Sequence, residues 1–577
     1  MSEGSRTRSI RRTAAVTAAV LTGLALGAAS ATAASPVSKP RSGDVEVQLL
    51  AVNDYHGHLE ADLPGTVGTV KAGGSEYLAT HLEQLREGHL NSVTVAAGDL
   101  IGGSPFLSGL FHDEPSVESL NAMDLDVASV GNHEFDEGVS ELLRMQNGGC
   151  HADGCYFEDA PYPGADFQWL AANVKNAEEK TPLPPYEIKK FQGAKVAFIG
   201  MTLEGTAALV AQSGIEGWRF DDEVETANAL VPELKAQGVE AMVVLLHEGG
   251  AQTGTYDQCV GISGPVVEIA EKLDPAIDAV ITGHTHEAYI CQLPDPDGVD
   301  RLVTSAASYG RVVTETELVV NRRTKDVVRD ASTATNHVVE RAALTPDPAQ
   351  TAIVEKWDEI AAPLAAEVVG TVKEDITGDS GGNRGIETPM ADLVADAILW
   401  GTNDPDEGGA QLSLMNVGGV RGSFIYDAIK AGEQPGEITY SEAYAVAPFG
   451  NLLVSMDLTG AQLKTVLEQQ YQPVEDRGSR PMLALGVSEG FTYEWDASQP
   501  QGSRVVLGSM YLNGVQMDMN ATYRVSTLNF LADGGDLFTG FLAGTNVVGG
   551  PEDLANLVAF LKANPGLTAP DSRSAGL

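Results

Sequence analysis

The chain has 577 residues, which against ~150 for an average domain gives an expectation of two to four domains. Hydrophobic residues at 43% and charged residues at 20% are globular values and exclude a disordered or collagen-like chain. Only 36 Lys and Arg stand against 80 Asp and Glu, and a net charge of −44 repels nucleic-acid phosphate. No basic run after the first dozen residues offsets this, so binding to a nucleic-acid duplex is not expected.

Residues 1–33 read as an export signal. Arg6, Arg8, Arg11 and Arg12 precede an apolar stretch at 13–29, and Ala29-Ser30-Ala31 and Ala31-Thr32-Ala33 both fit small-x-small cleavage sites. The stretch is too short and too alanine-rich for a membrane span, an uncleaved anchor being the alternative. Arg11-Arg12 leaves both Sec and twin-arginine export open. Four arginines and one glutamate leave with the signal, so the mature chain carries −47. No later segment of ~20 apolar residues follows, so no stable membrane insertion is expected after cleavage. The mature protein is expected to be secreted or to stay in the cell-wall or periplasmic space.

Export makes disulfides the natural reading of Cys150, Cys155, Cys259 and Cys291. Three pairings are possible. Closing the short ring from Cys150 to Cys155 is the cheapest, which leaves Cys259 with Cys291. A zinc site is disfavoured, because no CxxC pair is present and His151 is the only imidazole nearby in sequence.

Short, wholly apolar runs recur along the next 240 residues, at 45–52, 92–97, 127–130, 196–201, 242–246 and 279–282. Runs of this length bounded by turn residues are expected of strands buried on both faces, and helical patterns such as 76–87 and 223–237 lie between them. This is the α/β class. Strand signals fade near Val320. A helix is expected from Thr345 as its cap, with Pro346 in the first turn and Ile353, Trp357, Ile360 and Leu364 on one face. It reads as a connector at 345–366 between a domain at 44–325 and a second at 368–560.

Five of the eleven histidines lie at or just after an apolar run: His56, His133, His247, His284 and His286. A lone histidine there is usually a satisfied core or loop residue, but in an open α/β sheet the C-terminal strand ends line one crevice. The same places supply Asp54, Asp99 and Asn132. In an extended segment residues two apart point the same way, so Asp54 and His56 can hold one ion together. Mixed carboxylate, imidazole and amide donors suit Zn, Mn, Fe, Co or Ni better than calcium. There are more of them than one tetrahedral ion needs. Two bridged metals form the usual clamp for phosphate-ester hydrolysis, and they would bring an anionic substrate to an acidic protein.

In order, Asp-x-His, Gly-Asp, Gly-Asn-His-Glu, a strand-end His and Gly-His-x-His resemble the calcineurin-like metallophosphoesterases. Asn53-Asp54-Tyr55-His56-Gly57-His58-Leu59 and Gly131-Asn132-His133-Glu134-Phe135-Asp136 narrow the resemblance to the 5′-nucleotidase family, over about residues 44–560. The resemblance implies an N-terminal four-layer α/β/β/α metallophosphoesterase sandwich, a linker helix and a C-terminal α/β nucleotide-binding domain. It implies two divalent transition-metal ions (Zn, Mn, Co or similar), one on Asp54, His56 and His286, the other on Asn132, His247 and His284, with Asp99 bridging. His133 is then the catalytic histidine and Asp136 its partner; a helix-start carboxylate is the bland alternative for Asp136. His58, His81, His89, His112, His151 and His337 find no such place and are expected at the surface or behind the ligands.

In the second domain, Asn416-Val417-Gly418-Gly419-Val420-Arg421 resembles the family's phosphate loop, and Arg384 a further substrate-contacting arginine. Phe449 and Phe530 resemble the two aromatics that sandwich the base, and Asp536 the carboxylate that holds the ribose; alone, either Phe would read as core. There are departures. The segment 379–383 lacks an arginine that some members carry, Glu387-Thr388-Pro389-Met390 lacks an Asn-x-Gly form, and Glu248 stands beside a candidate ligand where smaller residues are usual. The resemblance implies hydrolysis of nucleoside 5′-monophosphates for scavenging, by in-line attack of a metal-bound hydroxide, with the linker helix as the hinge region. The alternatives are a 2′,3′-cyclic-nucleotide phosphodiesterase and 3′-nucleotidase, a nucleotide-sugar diphosphate hydrolase, and a catalytically dead nucleotide-binding surface protein.

Overall fold

The structure, a computed structural model, describes residues 43–577 apart from Pro64, Asp153, Glu158, Asp159, Ala211, residues 379–382, Ala431, Gly478 and Ser479. The expected export signal and most of the arginine-free segment fall outside the described residues.

Two six-stranded sheets build the N-terminal half. In the first, Asp44–Val52, Ser92–Ala97, Val127–Ser129 and Gln168–Leu170 run parallel in that order. In the second, Ala194–Thr202, Ala241–His247, Ala279–Thr282 and Asp300–Ala306 do the same. Side chains alternate across a strand. Val45, Val47, Leu49 and Ala51 enter a core shared with Val196, Phe198, Val243 and Leu245 of the other sheet, while Leu50 and Val52 face Leu78, Leu82 and Leu120 on helices outside. On the far side Ala197, Ile199, Val244 and Leu246 meet Ala227, Val231 and Leu234 of the helix Glu223–Ala236. The layers are therefore α/β/β/α, and the continuous apolar runs exist because both faces of these strands are buried. Each buried Val or Leu contributes about 1.5–3 kcal/mol, and a slip of one residue would exchange the two faces.

Not every strand stood among the apolar runs, and one lies beyond them all. Thr333–Val338 pairs antiparallel with Val312–Asn321 at the sheet edge, past the point where strand signals fade. An edge strand is buried on fewer sides, and its residues (Thr333, Thr335, Asn336, His337) give no apolar run.

The connector is the helix Pro348–Ala365. Its cap is Asp347 rather than Thr345: the Asp347 carboxylate accepts from the amides of Ala349 and Gln350, both at 2.9 Å, with Pro348 in the first turn. Asp is the stronger capping residue of the two. Gln350, fully buried, accepts from the Ser119 hydroxyl (2.6 Å) and donates to the Ser119 carbonyl (3.0 Å), and the Trp357 indole donates to Glu118 (2.8 Å). Ile353, Trp357 and Ala361 pack with Leu59, Leu107 and Phe111. The helix is thus fastened to the N-terminal half.

The C-terminal half holds a five-stranded sheet in the order Leu485–Val487, Leu412–Asn416, Thr522–Leu528, Leu452–Thr459, Thr545–Glu552. Helices Pro389–Trp400 and Asp553–Ala563 pack together in one core and Gly460–Glu468 in a second. Cys150 is bonded to Cys155 and Cys259 to Cys291. No helix among the described residues is long and apolar enough to cross a membrane.

Candidate active site

The parallel strands of both sheets end at one edge, and the chain turns sharply there. Asp54, His56, Asp99, His284 and His286 all adopt left-handed backbone, with φ between 47° and 70°. Each such non-glycine residue costs on the order of 1–3 kcal/mol and persists only where its surroundings enforce it. The enforcement is visible: the amides of Asp54 and His56 donate to the carbonyls of Gly98 and Asp99, both at 3.0 Å. Asp54 and His56 therefore converge through a left-handed turn, not through the extended geometry expected from their spacing.

The structure brings six of the seven candidate ligands together in two groups, Asp54 with His56 and His286, and Asp99 with His247 and His284. His286 Nε2 lies 3.3 Å from both Asp54 Oδ1 and His56 Nε2. His56 Nε2 is 3.7 Å and His247 Nε2 2.9 Å from the same Asp99 Oδ2, which puts Asp99 between the groups. Asn132 Oδ1 lies 3.0 Å from His284 Nδ1.

These residues fit divalent cations. The His247 Nδ1–H donates to the Ala97 carbonyl (2.7 Å), leaving Nε2 as a bare lone pair. That nitrogen is buried without a hydrogen-bond partner although it faces Asp99. His56 repeats the arrangement, donating from Nδ1 to the Gly102 carbonyl (2.7 Å). A carbonyl behind each imidazole is how a histidine ligand is oriented. Lone pairs and two buried carboxylates directed at one another call for a cation between them.

His133 stands beside this cluster. Its Nδ1 is 2.7 Å from Asp136 Oδ2, and its amide donates to Asp99 Oδ1 at 2.9 Å. Burial opposes the charged imidazole, but Asp136 and Asp99 outweigh it and hold His133 above its usual pKa. The dyad reading of Asp136 thus has its hydrogen bond. A side chain at Gly102 (φ 77°) would strike the His133 carbonyl and Asp136, so only glycine lets this loop close over the pair.

Sequence reasoning missed two braces. Glu134, 2% exposed, accepts from the amides of Asp99 (2.9 Å), Leu100 (2.8 Å) and Gly131, and burial together with Asp99 pushes it up to about 7. Asn53 donates to Asp54 Oδ2 (2.7 Å) and accepts from the Ala306 amide (2.8 Å). Both stood inside the motifs; what identifies them is burial, which no motif reports. Glu248 accepts from the next amide, Gly249, at 2.9 Å and bonds to none of the candidate ligands. His58 stacks on Tyr309 at 3.8 Å, while His89 and His337 both face Glu315.

The C-terminal half closes over the same edge. Phe449 stacks on His133 with ring centroids 6.0 Å apart and 19° between planes, and the Arg421 guanidinium lies 5.3 Å from the Phe449 ring. Asn416 donates to Asp536 (3.1 Å), and Phe530 packs over Gly535 on the Asp536 turn. A cleft of about 490 Å³ is lined from one side by His58, Gly103 and Tyr309 and from the other by Arg384, Gly418 and Arg421. Burial, Arg421 and Arg480 together push Arg384 down to about 9, and Arg480 also acts on Asp54 and His284. Arg384 and Arg421 line this cleft and Arg480 adds its charge to both, an arrangement suited to an anion. Arg480 belongs to no motif and was missed.

Residues 47–288 match the calcineurin-like phosphoesterase family and residues 368–543 the 5′-nucleotidase C-terminal domain. The cell wall protein Lmo0130 of Listeria monocytogenes is 31% identical over 90% of this chain and 67% of its own length. The chain belongs to the 5′-nucleotidase family. Its class is that of the metal-dependent phosphoester hydrolases, and membership implies divalent metal ions. Within the family, the endonuclease YhcR of Bacillus subtilis is 34% identical over 90% of this chain, which spans only 40% of that protein's length. Among solved structures, a 5′-nucleotidase precursor from Thermus thermophilus is 27% identical with a TM-score of 0.71, over 92% of this chain and 99% of that one.

Proposed function

We propose that the chain is an exported nucleotidase that removes phosphate from nucleoside 5′-monophosphates. The observation that carries this reading is the stack of Phe449 on His133, with Arg421 beside the same aromatic ring and lining, together with Arg384, the neighbouring cleft. Asp54, His56 and His286 would hold one divalent ion, Asn132, His247 and His284 the other, and Asp99 both. Bound there, the ions supply Lewis-acid polarisation of the phosphoryl group and a lowered pKa for the attacking water. His133, kept protonated by Asp136, donates to a phosphoryl oxygen as charge builds. Arg384, Arg421 and Arg480 receive the phosphate, Phe449 and Phe530 the base, and Asn416 with Asp536 the ribose. Export rests on the signal pattern and the two disulfides.

Phosphate release by the mature protein, metal-loaded or EDTA-stripped, tests this on AMP, UMP, 3′-AMP, 2′,3′-cyclic AMP, UDP-glucose and an aryl phosphate. Metal-dependent release fastest with the 5′-monophosphates is expected. Faster cyclic or sugar nucleotides would leave the chemistry and replace the substrate. A single-stranded oligonucleotide belongs in the panel because one relative is named an endonuclease; at −47, slow turnover on it is expected.

Phe449→Ala and Phe530→Ala are expected to raise KM for AMP by about 5- to 150-fold, from ~1–3 kcal/mol of base stacking, and to spare p-nitrophenyl phosphate. Equal losses on both substrates would remove the stacking assignment.

A further inference from the structure

Outside the strand-end cluster, three side chains from separate elements meet at the surface. His112 follows the short helix Phe106–Gly109 and has left-handed backbone (φ 50°). Glu137 directly follows the proposed dyad residue Asp136, and His151 lies inside the ring closed by Cys150 and Cys155. The two imidazoles stack with centroids 3.5 Å apart and 25° between planes. His112 Nδ1 is 2.9 Å and His151 Nε2 3.5 Å from the same Glu137 Oε2.

Two imidazoles directing nitrogens at a single carboxylate oxygen form three donors of a coordination shell. Bonds of ~2.0–2.1 Å in a tetrahedron place donors ~3.3 Å apart, and the observed separations lie a few tenths of an ångström either side. Two imidazoles and a carboxylate suit zinc, cobalt or nickel, whereas calcium and magnesium take oxygen shells. The His112 and His151 side chains are 20% and 15% exposed and that of Glu137 43%, so an ion can reach the group from solvent. The sequence argument against a zinc site rested on the absence of a CxxC pair and on His151 being the only imidazole nearby in sequence; the fold adds His112.

We propose that His112, Glu137 and His151 bind a divalent transition metal at a site that shares no residue with the strand-end cluster. The ion clasps the disulfide ring to the turn that carries His133 and Asp136, and its role is structural.

The test is metal content per chain after loading the mature protein with Zn²⁺ and desalting. His112→Ala and His151→Ala are each expected to hold one equivalent less than wild type. Combining His112→Ala with Asp99→Asn should likewise cost one equivalent relative to Asp99→Asn alone, so that failure of the strand-end reading and failure of this one are separable. Identical zinc content in wild type and both alanine variants overturns the proposal. If an alanine variant melts early in EDTA, Glu137→Gln, which keeps size and hydrogen-bond reach, takes its place. It too must lose the equivalent, and retention overturns the proposal.

Discussion

The His133→Ala variant is expected to turn over ~10²–10⁴-fold more slowly than wild type with its metal content unchanged. The geometry leaves two roles open, and metal content separates them. His133 forms a possible metal-holding group with His56 and Asp99, which would make it a ligand. Yet its Nδ1 is engaged by Asp136 at 2.7 Å, its amide is tied to Asp99, and its ring lies under Phe449. That is the setting of a group directed at substrate. Asp136→Asn should fall in the same direction by a smaller factor and move the pH profile, because the carboxylate is a main support of the raised imidazole pKa. Loss of a metal equivalent from His133→Ala would make it a ligand and leave the reaction without an identified acid.

Stripping metal with EDTA is expected to abolish phosphate release and to lower Tm by ~5–10 °C. An ion present at 1,000 times its Kd adds ~4.1 kcal/mol to stability, and a domain of this size shifts by ~2 °C per kcal/mol. The fold gives a reason for so large a dependence. Asp54 and Asp99 are 0% and 2% exposed, and five of the seven proposed ligands are held in left-handed backbone. Without a cation, the two buried carboxylates keep only their neighbouring imidazoles and a few hydrogen bonds, among them Asn53 to Asp54 and the His133 amide to Asp99. In Asp99→Asn, which keeps the size of the side chain, most of the metal-dependent rise in Tm should vanish. The His112 cluster is intact in that variant, so the difference isolates the strand-end site. An unaltered melting curve in EDTA would remove the proposed ligand set.

Much of this was legible in the sequence, for identifiable reasons. Strands buried on both faces write themselves as unbroken apolar runs, and residues at their C-terminal ends share an edge, so Asp54, His56, Asp99, Asn132, His247, His284 and His286 could be gathered before any coordinates. What the sequence did not carry was local or long-range. The left-handed turns at Asp54 and His56 leave no signature in residue spacing. The edge strand Thr333–Val338 lacks the burial that makes an apolar run. Asp347, two residues on from Thr345 and the stronger capping residue, takes the helix cap, each of the two being followed by a proline that could open the first turn. Arg480 and the His112–Glu137–His151 group come from segments far apart in the chain, and only the fold puts them side by side.

The docked helix Pro348–Ala365 bears on how the two halves can move. Gln350 and Trp357 bind it to Ser119 and Glu118 of the metallophosphoesterase half. The chain crosses to the C-terminal half once, through residues 366–367, before the strand Val368–Thr371 begins. Any reorientation that draws Phe449 and Arg421 away from His133 therefore turns about a two-residue elbow, with the eighteen-residue helix as a rigid bracket. A connection that short would confine such a turn to a narrow arc, where a long flexible tether would leave the two halves free to diffuse.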